Sequence, residues 1–178
     1  MCPQPGATQT YGSALVSEDC LHVNVYTKEV KGEHDYFLRP VIVFFHSGGW
    51  FSGTNRSDWL GPDYLLDEDI LLVTVNYRLG PLGFLSTNDE HAVGNYGMKD
   101  QVLALKWVKH NISAFGGNPN NVTISGYSAG SISVMLHMLS PMSNGNCEYT
   151  TYFIINVHIN HYFWIYWFVS SSKWNFLQ

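Results

Sequence analysis

Gly126-Tyr-Ser-Ala-Gly130 is a Gly-x-Ser-x-Gly motif that directly follows the β-rich run Asn121-Val-Thr-Ile-Ser125. A strand that ends in this motif and continues as a helix predicts a sharp turn with the serine hydroxyl exposed above a sheet. Glycine is needed on both sides because a Cβ there would collide with neighbouring backbone. Ser128 is therefore the candidate nucleophile, and the helix predicted over Ala129–Leu139 would aim its first N–H groups at an oxyanion.

A second segment, Val41-Ile-Val-Phe-Phe-His-Ser-Gly-Gly-Trp50, supports this interpretation. Its apolar run ending in a pair of glycines is typical of a buried parallel strand that leads into a tight, exposed loop. Acyl transfer needs backbone donors fixed around the developing oxyanion, and we expect them to be the N–H groups of Gly48, Gly49 and Ala129. The alternative is an ordinary glycine turn between a strand and a loop.

With these motifs, residues 2 to about 143 resemble the type-B carboxylesterases, the α/β-hydrolase group that includes insect esterases, juvenile hormone esterases and cholinesterases. The resemblance rests on six collinear segments, which are Ser17-Glu-Asp-Cys-Leu-His-Val-Asn-Val-Tyr26, His46-Ser-Gly-Gly-Trp50, Val75-Asn-Tyr-Arg-Leu-Gly-Pro-Leu-Gly-Phe-Leu85, Gly94-Asn-Tyr-Gly-Met-Lys-Asp-Gln101, Phe115-Gly-Gly-Asn-Pro119 and the Ser128 pentapeptide.

The resemblance implies a serine carboxylic ester hydrolase that forms an acyl-enzyme at Ser128, acts on a small-molecule carboxylic ester and needs no cofactor or metal. It also implies a secreted or extracellular protein, a disulfide between Cys2 and Cys20, and a structural ion pair between Arg78 and Asp100. Two positions depart from the family: Ser47 stands where Gly is frequent, and Tyr127 where Glu is common. We expect Tyr127 to change the acyl pocket or substrate preference and to leave the mechanism intact.

The acid and the histidine of a triad should follow the nucleophile in the chain. After Ser128 the only acidic residue is Glu148, and the histidines are His137, His158 and His161. His137 is expected on a face of the nucleophile helix, pointing away from the serine hydroxyl, and nothing around the others resembles the family's later motifs. These 178 residues are therefore expected to be inactive alone, since Ser128 without a base is a weak nucleophile. The alternative is a non-catalytic esterase-like binding module or an unproductive gene-model fragment.

Composition excludes other classes of function. The net charge of −5 is modest and unclustered, which gives no basic patch for nucleic acid and no polybasic membrane signal. The first residues show no signal peptide pattern, and oligomeric state cannot be read from the sequence. Asn-x-Ser/Thr sequons occur at Asn55, Asn111 and Asn121, as would suit a secreted glycoprotein.

Hydrophobic patterning predicts an α/β fold for residues 1–143, with a mostly parallel sheet and flanking helices. The resemblance implies that this is a partial α/β-hydrolase fold, truncated after the nucleophile helix. The predicted strands are 21–27, 41–45, 70–76 and 122–125, and the predicted helix 96–113 carries an apolar stripe. Without later strands, the sheet should present an open apolar edge beyond the strand before Ser128.

Residues 144–178 are aromatic and, in their central part, uncharged, and they no longer resemble the family. One interpretation is a membrane-spanning helix, although Asn156, His158, Asn160 and His161 would be costly in hydrocarbon. The other is a tail from outside the true reading frame, such as a mis-spliced segment.

Overall fold

The computed structural model describes residues 1–6, 15–29 and 37–144, and the backbone alone of residues 149–155 and 165–171. The described residues contain six strands and four α-helices. They are β1 (Val23–Tyr26), β2 (Arg39–Phe45), α1 (Ser57–Leu60), β3 (Leu71–Val75), α2 (Gly80–Phe84), α3 (Tyr96–Asn111), β4 (Gly117–Gly126), α4 (Ala129–Leu139), β5 (Tyr149–Ile155) and β6 (Ile165–Ser171). Short 3-10 turns follow α3 at Ile112–Phe115 and α4 at Pro141–Ser143.

The strands form one six-stranded sheet in the order β1-β3-β2-β4-β5-β6. The four central strands are mutually parallel, and the two outer strands are antiparallel to their neighbours. Helical crossovers between parallel strands produce this arrangement, and they place the carboxyl ends of β2 and β4 side by side. Phe45 is in register with Gly126, so the loop after β2 and the turn after β4 begin at the same edge.

The main core lies where helices cover the central strands. Strand β3 is buried along its whole length, as its continuous Leu and Val run predicts for a strand covered on both faces. Helix α3 and the 3-10 turn after it contribute the predicted stripe, of which Val102, Leu105, Val108 and Ile112 are buried. This packing fixes the central strands, and through them the two segments that leave their carboxyl ends.

Most predicted elements are confirmed, with shifts at their ends. Helix α4 has the predicted bounds, whereas β4 begins at Gly117 and is longer than the predicted 122–125. The extra length arises because Gly117 pairs with Arg39 before a register shift that precedes the Val41–Val122 pair. The prediction of an open edge beyond β4 is wrong, because the backbone of β5 pairs with β4 in parallel.

Within the described residues, no helix combines the length and the apolar character that crossing a bilayer requires. The segment for which a spanning helix was considered contributes two strands, β5 and β6, and otherwise lies outside the described residues. The expected domain boundary at residue 143 stays a prediction.

Candidate active site

Ser128 lies on a strained turn between β4 and α4. Its backbone has φ 55° and ψ −117°, a left-handed φ that a non-glycine residue adopts at a cost of about 1–3 kcal/mol. The first turn of α4 holds this conformation, because the Ser128 carbonyl accepts hydrogen bonds from the Ile132 N–H at 3.1 Å and the Ser131 Oγ at 2.7 Å. The residue is exposed, as a nucleophile that must meet a substrate requires.

The flanking glycines allow α4 to approach the sheet closely. A Cβ on Gly130 would lie 2.0 Å from the carbonyl oxygen of Phe45, and one on Gly126 would lie 2.4 Å from the carbonyl carbon of Gly130. Neither neighbour is a flexible side chain that could move aside. The helix that begins at Ala129 is therefore seated directly on the end of β2.

The loop after β2 has an unusual backbone over three successive residues. Gly48, Gly49 and Trp50 have φ values of 114°, 61° and 63°. A Cβ on Gly48 would lie 2.0 Å from the Ser52 carbonyl oxygen, and the Gly48 carbonyl accepts hydrogen bonds from the N–H groups of Phe51 and Ser52. Glycine is required at position 48 for this reason, whereas Gly49 is exposed and would meet only the movable Phe51 ring.

Side chains on two sides hold this glycine loop. The Trp50 indole Nε1–H donates to Ser133 Oγ on α4 at 3.0 Å. On the other side, Gln4 binds Gly53 twice at 2.8 Å, donating to its carbonyl and accepting from its N–H. Trp50 also packs against a small core formed by Cys2, Cys20, Tyr77 and Leu79.

His46, at the start of the glycine loop, is buried and stacks on Tyr77 with ring centroids 4.4 Å apart. Its Nδ1 lies 2.7 Å from the Ser47 carbonyl and must donate, since a carbonyl only accepts. Nε2 finds no hydrogen-bond partner in the described part of the chain. Burial lowers the pKa of His46 to about 4, so the ring is neutral.

The predicted disulfide is present between Cys2 and Cys20, and both residues are buried. Arg78 and Asp100 also form an ion pair: Nε and one terminal nitrogen of Arg78 bind the carboxylate at 2.8 and 2.7 Å. Only the carboxylate is buried, since the Asp100 side chain is 5% exposed and that of Arg78 is 38% exposed. The pair joins the segment after β3 to the first turns of α3.

His137 lies on α4, as expected. It is buried and contacts Gln101 and Ser143 through its two ring nitrogens. Burial lowers its pKa to about 4. Glu148, His158 and His161 lie outside the described residues.

The fold thus brings two of the predicted groups to one edge of the sheet. Ser128 and Ala129 begin α4, and Gly48 and Gly49 follow β2, whose end touches Gly130. Their assignment as nucleophile and oxyanion donors stays a prediction. Among the described residues, no three His, Cys, Asp or Glu side chains are grouped closely enough to hold a metal ion.

Sequence reasoning missed the contacts that hold these segments together. Ser133 and Gln101 are fully buried polar residues on apolar helices, and a single sequence gives no signal for such positions. In the sequence, Trp50 is recognisable only as the last residue of the His46–Trp50 segment.

Comparisons with known proteins agree with this geometry. A sequence profile described as the Carboxylesterase family matches residues 1–152. Juvenile hormone esterase of Tribolium castaneum is 57% identical over 129 residues, 72% of this chain and 21% of that protein. Esterase E4 of Myzus persicae is 53% identical over 137 residues, 75% of this chain and 24% of that protein.

Solved structures give the same result. Juvenile hormone esterase from Manduca sexta, with OTFP covalently attached, superposes with a TM-score of 0.75 at 37% identity, over 84% of this chain and 28% of that one. A PNB esterase superposes with a TM-score of 0.72 at 39% identity, over 84% and 31%. This chain therefore spans about a quarter of the length of its relatives, and over that length it has a partial α/β-hydrolase fold and belongs to the carboxylesterase family.

Proposed function

We propose that this chain carries the nucleophile and the oxyanion donors of a serine carboxylic ester hydrolase. Ser128 Oγ attacks the ester carbonyl, a base accepts its proton, and the tetrahedral oxyanion receives hydrogen bonds from the N–H groups of Gly48, Gly49 and Ala129. Collapse releases the alcohol and leaves an acyl group on Ser128. Water then hydrolyses this acyl-enzyme.

The single observation that carries the proposal is the strained, exposed Ser128 at the start of a helix seated against the end of β2. A φ of 55° at a serine is retained only where the surrounding structure enforces it, and such strain concentrates at functional sites. The first N–H groups of a helix have no partner inside the helix, so that of Ala129 is oriented to meet an anion.

The substrate is proposed only as a small-molecule carboxylic ester. Relatives named for juvenile hormone, cocaine, acylcarnitine, pyrethroid and bile-salt-activated lipase chemistry share comparable identity with this chain. Their variety supports the shared reaction and no particular ester. The disulfide suits an oxidising compartment, which supports a secreted or extracellular site of action.

A second candidate is a non-catalytic esterase-like chain. In this candidate none of the acidic and histidine side chains that follow Ser128 serves as its base. In that case the glycine loop and the Ser128 turn are retained as scaffold.

A chimera would test the catalytic proposal. Residues 1–143 of this chain would replace the corresponding segment of the Tribolium castaneum juvenile hormone esterase, which supplies its own later sequence. We expect the chimera to hydrolyse p-nitrophenyl acetate, and Ser128→Ala to lower kcat by about 10³-fold or more, as expected when a triad member is removed.

The matched control is Ser140→Ala, the same change at the far end of α4, where the hydroxyl accepts only from the Met142 N–H. It should retain most of the chimera's activity. A folded chimera that carries the Tribolium acid and histidine but hydrolyses no ester would favour the non-catalytic candidate.

A further inference from the structure

We propose that Ser133 is a positioning residue for the oxyanion donors: its hydroxyl holds the Trp50 indole and so fixes the Gly48–Gly49 segment against the helix that carries Ala129. This inference rests on the proposed function, because it assigns the glycine loop a catalytic task. No contact between Ser133 and the substrate is required.

The argument begins with the hydroxyl of Ser133, which is fully buried and has one proton and two lone pairs. Its proton goes to the Ala129 carbonyl at 2.9 Å, since a carbonyl can only accept. Both lone pairs then accept, one from the Trp50 indole at 3.0 Å and one from the Gln101 side-chain amide at 3.3 Å. Every hydrogen-bonding position of the hydroxyl is in use.

Gln101 and His137 set the direction of these bonds. Because the Gln101 amide donates to Ser133, its Oε1 faces His137 Nε2 at 2.9 Å and must accept from it. His137 Nδ1 is then the acceptor for the Ser143 hydroxyl at 2.8 Å. One neutral tautomer satisfies both contacts, and the lowered pKa of His137 keeps that tautomer neutral.

The network therefore joins three elements at one point. Trp50 belongs to the glycine loop, Gln101 to α3, and Ser133 to the second turn of α4. Trp50 directly follows the two glycines and shares their left-handed φ, so a bond that holds its side chain also restrains the backbone that carries their peptide groups. Donors must be held within about 0.5 Å of a productive geometry, and a buried hydrogen bond to the loop's own tryptophan supplies that constraint.

Two variants remove the same hydrogen bond from opposite ends. Ser133→Ala deletes the acceptor, and Trp50→Phe deletes the donor while keeping an aromatic ring. Ser131→Ala is the matched control, since Ser131 is equally buried on the same helix but donates to the Ser128 carbonyl.

The measurement is NMR on the 178-residue chain uniformly labelled with ¹⁵N. In Ser133→Ala the Trp50 indole resonance, identified by its loss in Trp50→Phe, should move toward that of a water-exposed indole. The Phe51 and Ser52 amides, which donate to the Gly48 carbonyl at 3.1 and 3.0 Å, should exchange about tenfold faster in Ser133→Ala and in Trp50→Phe, with no further gain in the double variant. Core amides of β3 should be unchanged.

Ser131→Ala should leave the Trp50, Phe51 and Ser52 signals as in the parent chain. Unchanged exchange of the Phe51 and Ser52 amides in both variants would overturn the proposal, as would equal acceleration in β3 or in Ser131→Ala. If Ser133→Ala does not fold, Trp50→Phe alone decides. None of these NMR signals depends on ester turnover. An inactive chimera would therefore contradict the proposed function and leave the test of the Trp50–Ser133 contact unaffected.

Discussion

Two glycines of the Gly126–Gly130 pentapeptide are required because of contacts between specific backbone atoms. Gly130 must pass within contact distance of the Phe45 carbonyl, and Gly126 must pass the backbone of Gly130. A side chain at either position would push α4 off β2 and move Ser128 with it. The glycines of the motif are therefore needed for packing α4 against the sheet, as well as marking a candidate nucleophile.

Gly130→Ala should destabilise the chain by about 3 kcal/mol or more, because its new Cβ would lie 2.0 Å from a backbone oxygen that cannot move aside. Urea unfolding checks this. Gly80→Ala is the control: nothing lies within 4 Å of its Cβ, so it carries only the cost of a φ of 55°, about 1 kcal/mol. Equal midpoints for the two variants would contradict the packing argument.

The two buried histidines predict a dependence of stability on pH. Burial lowers the pKa of His46 and of His137 from 6.5 to about 4. The unfolded chain therefore binds more protons than the folded chain between these values, and the free energy of unfolding falls as the pH drops from 6.5 toward 4. Each histidine contributes up to about 3 kcal/mol, which is fully present above pH 6.5.

Urea unfolding at pH 7.5 and pH 4.5 measures this loss. In His137→Gln the free energy of unfolding should fall less between pH 7.5 and pH 4.5 than in the parent chain. Glutamine does not titrate, so the contribution of His137 to this fall is removed. If the variant loses as much stability as the parent chain over this interval, His137 is not the titrating group.

At the scale of elements, α4 buries polar as well as apolar side chains. Its buried side carries Ser131, Ser133 and His137 beside the core residue Val134, whereas Ile132, Met135, Leu136, Met138 and Leu139 are exposed. Apolar residues occur on the exposed side as well, so hydrophobic periodicity alone does not mark which face of this helix is buried. A single sequence therefore gives no signal for the burial of His137.

The features that could be predicted from the sequence are those that depend on residues close together in the chain. The Ser128 turn, the two glycines after β2 and the bounds of α4 depend on a few consecutive residues. The Trp50–Ser133 bond joins residues 83 apart, and its partners are small or buried polar groups without a pattern of their own. Strand β4 was predicted too short because Gly117 pairs before a bulge, and Asn-Pro in that stretch is typical of a loop.

The disulfide is expected to act on the glycine loop as well as on stability. Removing it by Cys2→Ala with Cys20→Ala should cost roughly 3 kcal/mol in the chain-entropy model, and the cluster behind Trp50 should loosen. Thermal unfolding of the parent chain with and without a reductant is the measurement. Reductant should lower the midpoint of the parent and leave the double variant unchanged; a parent chain insensitive to reduction would contradict the expected stabilisation.

At the scale of the whole molecule, the topology of the sheet determines where the candidate site lies. Its chemistry depends on which side chains come close to that place. Parallel strands β2 and β4 end side by side, so a loop and a helix from distant parts of the chain meet at one edge. In a Gly-x-Ser-x-Gly hydrolase the acid and the histidine follow the nucleophile along the chain. The match to the family profile covers residues 1–152, within which Glu148 is the only acidic residue and His137 the only histidine after Ser128.

These 178 residues, expressed alone, should therefore hydrolyse p-nitrophenyl acetate no faster than their own Ser128→Ala variant. The Ser128 hydroxyl is a weak nucleophile until a base accepts its proton, and oxyanion donors without that base give only residual catalysis. Initial rates at equal concentrations of folded protein make the comparison, with Ser140→Ala as a second reference. Activity lost in Ser128→Ala and also in His158→Ala or His161→Ala would show that a histidine of the aromatic segment serves as the base, and the nucleophile would then be competent within this chain.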